Sequence, residues 1–367
     1  MAAGGPQTAS ADPTKPARLV PLAFADLPGW AEDDHAAALA AFRRGAAVLS
    51  DHPPKPRVLG VDARALAALL ARAYDASDRD ARAFFEASFA PHVVEPAEGG
   101  AFFTGYYEPE VAGALAPSAE YRYPLYRPPA DLVEIAPGSK PGLPADFRFA
   151  RAIGSGFREH YDRATVAGGA LAGENLELVW LKDPIEAFFI HVQGAARIVL
   201  PDGRTLRVTY AAKSGHPYTS IGRVLVERGA LTREAATMQG IRAWLSAHPH
   251  EAPSVMNANR SFIYFREADV ADPGLGPIAA AKVPLTAGRS LAVDRLLHTF
   301  HTPVWVETML PDGSPFRHLT VAQDTGSAIV GPARGDIFFG SGEAAGAIAG
   351  EMRAAGRFVI FMPKAAP

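Results

Sequence analysis

The 367-residue chain contains no cysteine. Disulfides, zinc-thiolate centres, thiol nucleophiles and lipid attachment through cysteine are therefore excluded. Long apolar runs are also missing: no stretch approaches the roughly 18 residues needed to span a bilayer. Excess positive charge is absent too. A formal net charge of -3 and a pI near 6.4 leave no basic footprint for nucleic acid. The N-terminal stretch MAAGGPQTASADPTKPARL lacks the apolar core of a signal peptide, and residues 1–20 are expected to form a flexible leader. The sequence thus leaves open a cytosolic protein or one whose targeting segment has been removed.

What is present is an ordinary globular composition, 48% hydrophobic and 20% charged, on a chain long enough for two domains or one domain with a large insertion. The 34 glycines and 32 prolines imply many turns and short strands, hence substantial β structure.

The most informative stretch is LTVAQDTGSAIVGPARGDIFFG, from Leu319 to Gly340. Its alternation predicts a strand ending at Asp324, a Gly/Ser/Pro-rich connection, and a second short strand from Ile337 to Phe339. Asp324 and Asp336 are thereby set on either side of one excursion, and Gly326, Gly331 and Gly335 leave backbone room beside them. A third carboxylate, Asp294 in RSLAVDR, ends another apolar run. Any one of the three fits ordinary turn chemistry. Three together, each at a strand end, point to a site.

Elsewhere, three helices are predicted near the N-terminus: Trp30 to about Leu49, Asp62 to Tyr74, and Asp78 to Phe89. FFTGYYEPEV, from Phe102 to Val111, reads as an aromatic strand whose Gly105 marks either a β-bulge or, with its rings, a platform for sugar faces. Residues 112–175, rich in Pro, Tyr and Arg, are expected to be irregular β structure with long loops. The segment LELVWLKDPIEAFFIHVQGAARIVLPDGRTLRVTYAA predicts four strands broken at KDP, QGA and PDG. Gln193 and Gly194 then fall at a strand end, lining a groove or capping a turn. Tyr218, with Ser214 and Ser220, precedes a helix starting near Ser220, and another is expected from Thr232 to about His248. NANRSFIYFREADV returns to β structure, and LLHTFHTPVWVETMLPDGSP forms a hairpin. Ser341 is expected to cap a helix that Gly356 stops, followed by a strand from Phe358 to Met362.

Three motifs fail on inspection. Gly340, Gly342 and Ala345 fit G-x-G-x-x-A, but no acidic residue follows about 20 positions later, as a dinucleotide site needs. His298 and His301 lack companion ligands and are read as loop residues rather than a metal site. No G-x-S-x-G elbow supports a Ser-His-Asp triad.

Several stretches together resemble one family. FTGYYEPE (103–110), VQGAARIVLPDG (192–203), SGHPYTSIGRVL (214–225), NANRSFIYF (257–265) and the three-aspartate segment from Arg289 to Gly340 are similar, in the same order, to the membrane-bound lytic murein transglycosylase A (MltA) family. The resemblance implies a mainly β fold with N-terminal helices: a double-psi β-barrel built from 21–107 and 263–367, a second β-barrel inserted as 108–262, and a groove between them. It implies a monomer without metal or organic cofactor, acting on peptidoglycan glycan strands in the periplasm, with outer-membrane association in lipoprotein members. The absence of an N-terminal cysteine departs from that anchoring.

The implied reaction cleaves the β-1,4 bond between N-acetylmuramic acid and N-acetylglucosamine without water, leaving a 1,6-anhydromuramoyl end. By motif position Asp336 corresponds to the acid/base, with Asp324 and Asp294 as companions. The matching motifs nominate Thr104, Gly105, Tyr106, Tyr107, Gln193, Gly194, Ser214, Tyr218, Asn259 and Ser261 as substrate contacts. A non-catalytic glycan-binding protein and a two-carboxylate hydrolase are the alternatives.

Overall fold

A computed structural model describes residues 16–136, 142–144, 147–270 and 272–364. Most of the expected leader, residues 1–15, lies outside the described residues. Its last part does not behave as a leader: strand β1 (Ala17–Pro21) pairs antiparallel with β2 (Phe89–Pro96). Between them lie helices α1 (His35–Arg43), α2 (Ala63–Tyr74) and α3 (Ala81–Ser88), close to the predicted spans. Asp34 and Asp62 begin the first two by accepting amides of the first turn, Ala37 N for α1 and Arg64 and Ala65 N for α2. Strand β3 (Ala101–Glu108) then enters the main sheet.

The chain next builds a second unit. Its elements are β4 (Glu110–Ala114), β5 (Tyr123–Tyr126), β6 (Leu132–Glu134), β7 (Phe149–Ile153), β8 (Gly156–Arg158) and α4 (Arg163–Ala167). They continue with β9 (Glu177–Leu181), α5 (Pro184–Gln193), β10 (Ala195–Val199), β11 (Thr205–Lys213), α6 (Ile221–Glu227), α7 (Met238–Ala247), α8 (Ala252–Asn257) and β12 (Ile263–Glu267). Six strands form one sheet in the order β12-β11-β10-β4-β9-β5, while β6, β7 and β8 form a small separate one. The six-stranded sheet curls enough for Arg127, beside β5, to reach Glu267 at the end of β12 (3.4 Å). Because β12 pairs with β11, residues 263–267 belong to this sheet and not to the barrel assigned to them from sequence. Alternation reveals a strand but not its partner.

A second correction concerns α5. The sequence PIEAFFIHVQ was read as a strand and is a helix: Asp183 accepts the Ile185 amide, Pro184 occupies the first turn, and Gly194 closes the end at φ 80°. Two further differences are smaller. Helix α7 starts at Met238 under a Thr237 cap, six residues later than the Thr232 start read from sequence. Gly356 stops no helix, but lies inside a strand where a Cβ would meet the Glu307 carbonyl oxygen at 2.2 Å.

The chain closes with β13 (Ser290–Val293), β14 (Pro303–Met309), β15 (Pro315–Asp324), β16 (Arg334–Ser341), α9 (Gly342–Glu351) and β17 (Arg353–Pro363). Strands β3, β16, β13, β15, β14 and β17 pair in that order, and β17 pairs back onto β3, so six strands close into a ring. The molecule holds more strand than helix. Inside the ring sit Phe103, Leu291, Val293, Ile337 and Phe358, all fully buried. The alternate residues of the same strands face outward, and these carry the polar site.

Two buried carboxylates fasten this frame. Asp33 ties the N-terminal helices to the barrel by accepting from Arg289 Nη1 (2.8 Å), His318 Nδ1 (2.8 Å) and the Leu319 amide (2.9 Å). Glu108, fully buried where β3 leaves the barrel, accepts from Arg197 Nε (2.9 Å), Arg207 Nε (3.0 Å) and the Ser341 hydroxyl (2.7 Å). The two arginines come from the second sheet, so Glu108 pins the two units at their crossing point.

Candidate active site

Asp336 lies on β16 and Asp324 at the end of β15, and β13 runs between them. Ala292 of β13 is paired with both. Directly paired residues share a sheet face, so the two carboxylates stand at one level, separated only by an alanine too small to come between them. Thr104 of β3 pairs with Asp336 on its other side. The row Thr104, Asp336, Ala292, Asp324 therefore crosses four adjacent strands on the outer face of the ring.

The two carboxylates are held differently. Asp324 accepts from the Tyr106 hydroxyl (3.0 Å) and the Ala280 amide (3.1 Å). Asp336 accepts from the Thr104 hydroxyl. Thr104 in turn accepts from Arg334 Nη2 (2.6 Å), so guanidinium, hydroxyl and carboxylate form a chain. Desolvation raises the pKa of both acids. For Asp336 the Arg334 charge and the Thr104 bond oppose that rise, while Asp324 adds to it. A carboxylate beside a second carboxylate in a partly buried place holds a proton more readily than a free one.

Asp294 is not in this row. It follows β13 and is buried, with its oxygens accepting the Leu296 amide (2.9 Å) and the Gly331 amide (3.0 Å). It ties the loop after β13 to the loop before β16. Among the described residues no cluster of His, Cys, Asp and Glu is arranged to hold a metal ion. His298 and His301 are buried in the loop expected for them, and burial lowers both pKa values to about 4.

A cleft of about 490 Å³ opens beside Thr104, between the barrel and helices α5, α6 and α7. Thr104, Gly105, Gln193 and Tyr218 line it. Tyr218 is 36% exposed. Burial raises its pKa, Arg163 opposes this, and Asp336 adds to it, which puts the phenol within electrostatic range of that carboxylate.

The other nominated residues sit behind these. Gly105 marks no bulge, since it pairs regularly with Ile337; a Cβ there would meet the Phe339 ring at 2.6 Å and Ala349 Cα at 2.8 Å, so glycine lets α9 pack on β3. Tyr106 and Tyr107 are buried and form no exposed platform. Tyr106 packs on Phe338, with centroids 5.3 Å apart, and Tyr107 lies against Gly346. Gln193 accepts the Tyr107 amide (3.2 Å), and Gly194 ends α5. Ser214, wholly buried, accepts the Phe262 amide (3.1 Å). Asn259 accepts the Thr219 amide (3.1 Å), fixing the residue after Tyr218. Arg163, buried between the rings of Phe188 and Phe262, donates to the carbonyls of Asn259 (3.0 Å) and Ser261 (2.6 Å). Sequence reasoning missed Arg334, although its spacing of two from Asp336 on a strand puts both on one face.

Comparison with known proteins bears on this arrangement. The MltA specific insert domain model matches residues 102–266, and the 3D domain model matches 289–362. A solved membrane-bound lytic murein transglycosylase from Agrobacterium tumefaciens is 44% identical and superposes with a TM-score of 0.87, over 94% of this chain and 97% of that one. The chain belongs to the membrane-bound lytic murein transglycosylase A family. The Escherichia coli K12 member of the MltA family is 33% identical over 277 residues, which is 73% of this chain and 67% of the relative. An E. coli MltA structure solved with bound chitohexaose is 27% identical with a TM-score of 0.67, covering 99% of this chain and 98% of that one. MltA proteins are named as membrane-bound; among the described residues here no helix is long and apolar enough to cross a membrane.

Proposed function

We propose that this chain is a lytic transglycosylase of peptidoglycan that cleaves the bond between N-acetylmuramic acid and N-acetylglucosamine and releases 1,6-anhydromuramoyl ends. Membership of the MltA family supports the activity on murein. The bound chitohexaose of the E. coli relative supports a β-1,4 N-acetyl sugar chain as ligand.

The observation that carries the assignment of the acid is the unequal support of the two central aspartates. Asp324 is held from two sides by Tyr106 and Ala280, whereas Asp336 has Thr104 alone, a residue that lines the cleft. In the reaction Asp336 gives its proton to the glycosidic oxygen as the bond from the muramoyl C1 to that oxygen breaks. The C6 hydroxyl oxygen of the same sugar then bonds to C1, and its proton passes to the Asp336 carboxylate. Both atoms of the new bond belong to one residue, so the nucleophile is present at a high effective concentration and a second catalytic carboxylate is unnecessary. Asp324 and Tyr106 shape the field around the acid. Asp294 holds the two loops of that end of the barrel. A periplasmic location, with peripheral attachment to the outer membrane, follows from the same family reading, as does action as a monomer.

The test is digestion of purified murein sacculi by wild type and Asp336→Asn, with the released fragments analysed by mass spectrometry. Anhydro ends from the wild type, with a loss of about 10²-fold or more in the variant, are expected. Reducing ends instead would assign a hydrolase using Asp336 and Asp324 with water, and binding without release would assign a glycan-binding protein.

A further inference from the structure

The cleft beside Asp336 is chemically lopsided. Its lining includes three arginines, Arg223, Arg233 and Arg353, and no aspartate or glutamate. The same lining includes the apolar side chains of Val192 and Met238. The neighbouring acids are either engaged or outside. Glu186 is held by both terminal nitrogens of Arg242. Glu227 lies 3.5 Å from Arg223 as a solvent-exposed pair, and the exposed Glu234 sits near Arg233 and Arg353. Such surface pairs hold little free energy and yield readily to a better ligand. A neutral sugar has no use for guanidinium groups held only by exposed carboxylates. A ligand with carboxylates and small apolar side chains does.

The position of Arg353 is fixed by the sheet. It opens β17 directly across from Thr104, whose other neighbour across the strands is Asp336. Arg353 thus extends the row Thr104, Asp336, Ala292, Asp324 by one strand, on the same face and about 10 Å from Asp336 at the backbone. Its guanidinium also donates to the Arg233 carbonyl (3.4 Å), which holds the two arginines together.

We propose that this cleft receives the peptide stem of the muramoyl residue being cleaved, with Arg353 and Arg233 binding the stem's carboxylates. The inference rests on the transglycosylase reading. In peptidoglycan the muramic acid carries, through a lactyl ether, a short peptide with free carboxylates and alanine methyl groups. Two extended residues span about 7 Å, so beyond the lactyl spacer the carboxylate of the second residue comes within reach of Arg353. Met238 and Val192 meet the methyl groups. The enzyme then prefers peptide-bearing strands to bare glycan.

The decisive measurement is binding by the Asp336→Asn protein, which separates recognition from cleavage. The probes are a peptide-bearing murein oligosaccharide and the same oligosaccharide stripped of its stems by an amidase. Adding Arg233→Ala and Arg353→Ala is expected to weaken binding of the first by about 10-fold or more and of the second by less than about 2-fold, with lysine at both positions retaining part of the difference. Equal weakening of both probes, or of neither, overturns the proposal. The same arginine changes are then read in the active protein on sacculi. Arginine-dependent binding of the peptide-bearing probe without anhydro ends from the wild type refutes the transglycosylase reading and leaves the stem preference standing.

Discussion

Asp33 and Asp336 are both carboxylates on or against the same barrel, and they are treated in opposite ways. Asp33 is met by a guanidinium, an imidazole and a backbone amide, which overcome its desolvation and lower its pKa to about 2. Asp336 is met by one hydroxyl and a guanidinium held one step away, and its pKa is raised. A saturated buried carboxylate is a fastener; one left short of donors next to open space keeps a proton to give. The second arrangement costs stability and suits the proton donor proposed for this site.

The comparison predicts opposite phenotypes. Asp336→Asn should lose about 10²-fold or more in release of murein fragments while melting at or above the wild-type temperature. Asp33→Ala should lower stability by about 3–5 kcal/mol, because it leaves Arg289 buried without its partner, while the activity per folded molecule stays near wild type. Equal activity losses in the two, measured on protein shown to be folded by near-ultraviolet circular dichroism, would erase the distinction. Asp324→Asn should fall between them in activity. A loss as deep as that of Asp336→Asn would mean that both carboxylates act chemically.

The sharper version of the comparison uses pH. In the proposed mechanism Asp336 is protonated at the start, so activity is expected to fall on the alkaline side as it ionises. Asp324 raises its pKa and Arg334 lowers it. Asp324→Asn should therefore move the alkaline limb of the rate profile to lower pH, and Arg334→Met should move it to higher pH. Movement in one common direction would reject Asp336 as the titrating acid.

Stability also follows pH through named groups. His298 and His301 are buried neutral, with pKa values lowered to about 4, so unfolding takes up protons below the ordinary histidine value. Their contribution is complete above about pH 6.5 and is lost as pH falls toward 4, with a slope of up to about 1.4 kcal/mol per pH unit for each. Asp33, depressed to about 2, contributes about 2 kcal/mol above pH 4 and loses it between pH 4 and 2. Denaturant titrations of His298→Gln, which cannot charge, should show a flatter slope between pH 6.5 and 4 and an unchanged one below.

Much of this frame was legible in the sequence because it is local. Asp62 before an apolar periodicity starts a helix, and the alternation of Leu319 and Val321 ends at Asp324 as read. The strand assignment of PIEAFFIHVQ failed because KDP was taken as a turn, whereas Asp-Pro followed by Glu is also the opening of a capped helix. The aromatic run at Tyr106 and Tyr107 showed a strand but not that α9 and the segment around Leu285 cover its rings. Least legible was the row itself. Thr104, Asp336 and Arg353 are brought level only by ring closure between strands more than 200 residues apart, and no local pattern encodes which edges meet.

That closure also sets a sequence in time. β3 emerges early in synthesis with both edges open, and its two barrel neighbours are β16 and β17, the last two strands to be made. Until Arg353–Pro363 is available the stave carrying Thr104 has no partner on one side, and every residue of the second unit precedes the strands that close the ring. The row is thus completed only after β16 and β17 are made, and a nascent chain carries the Thr104 hydroxyl long before the carboxylate it holds.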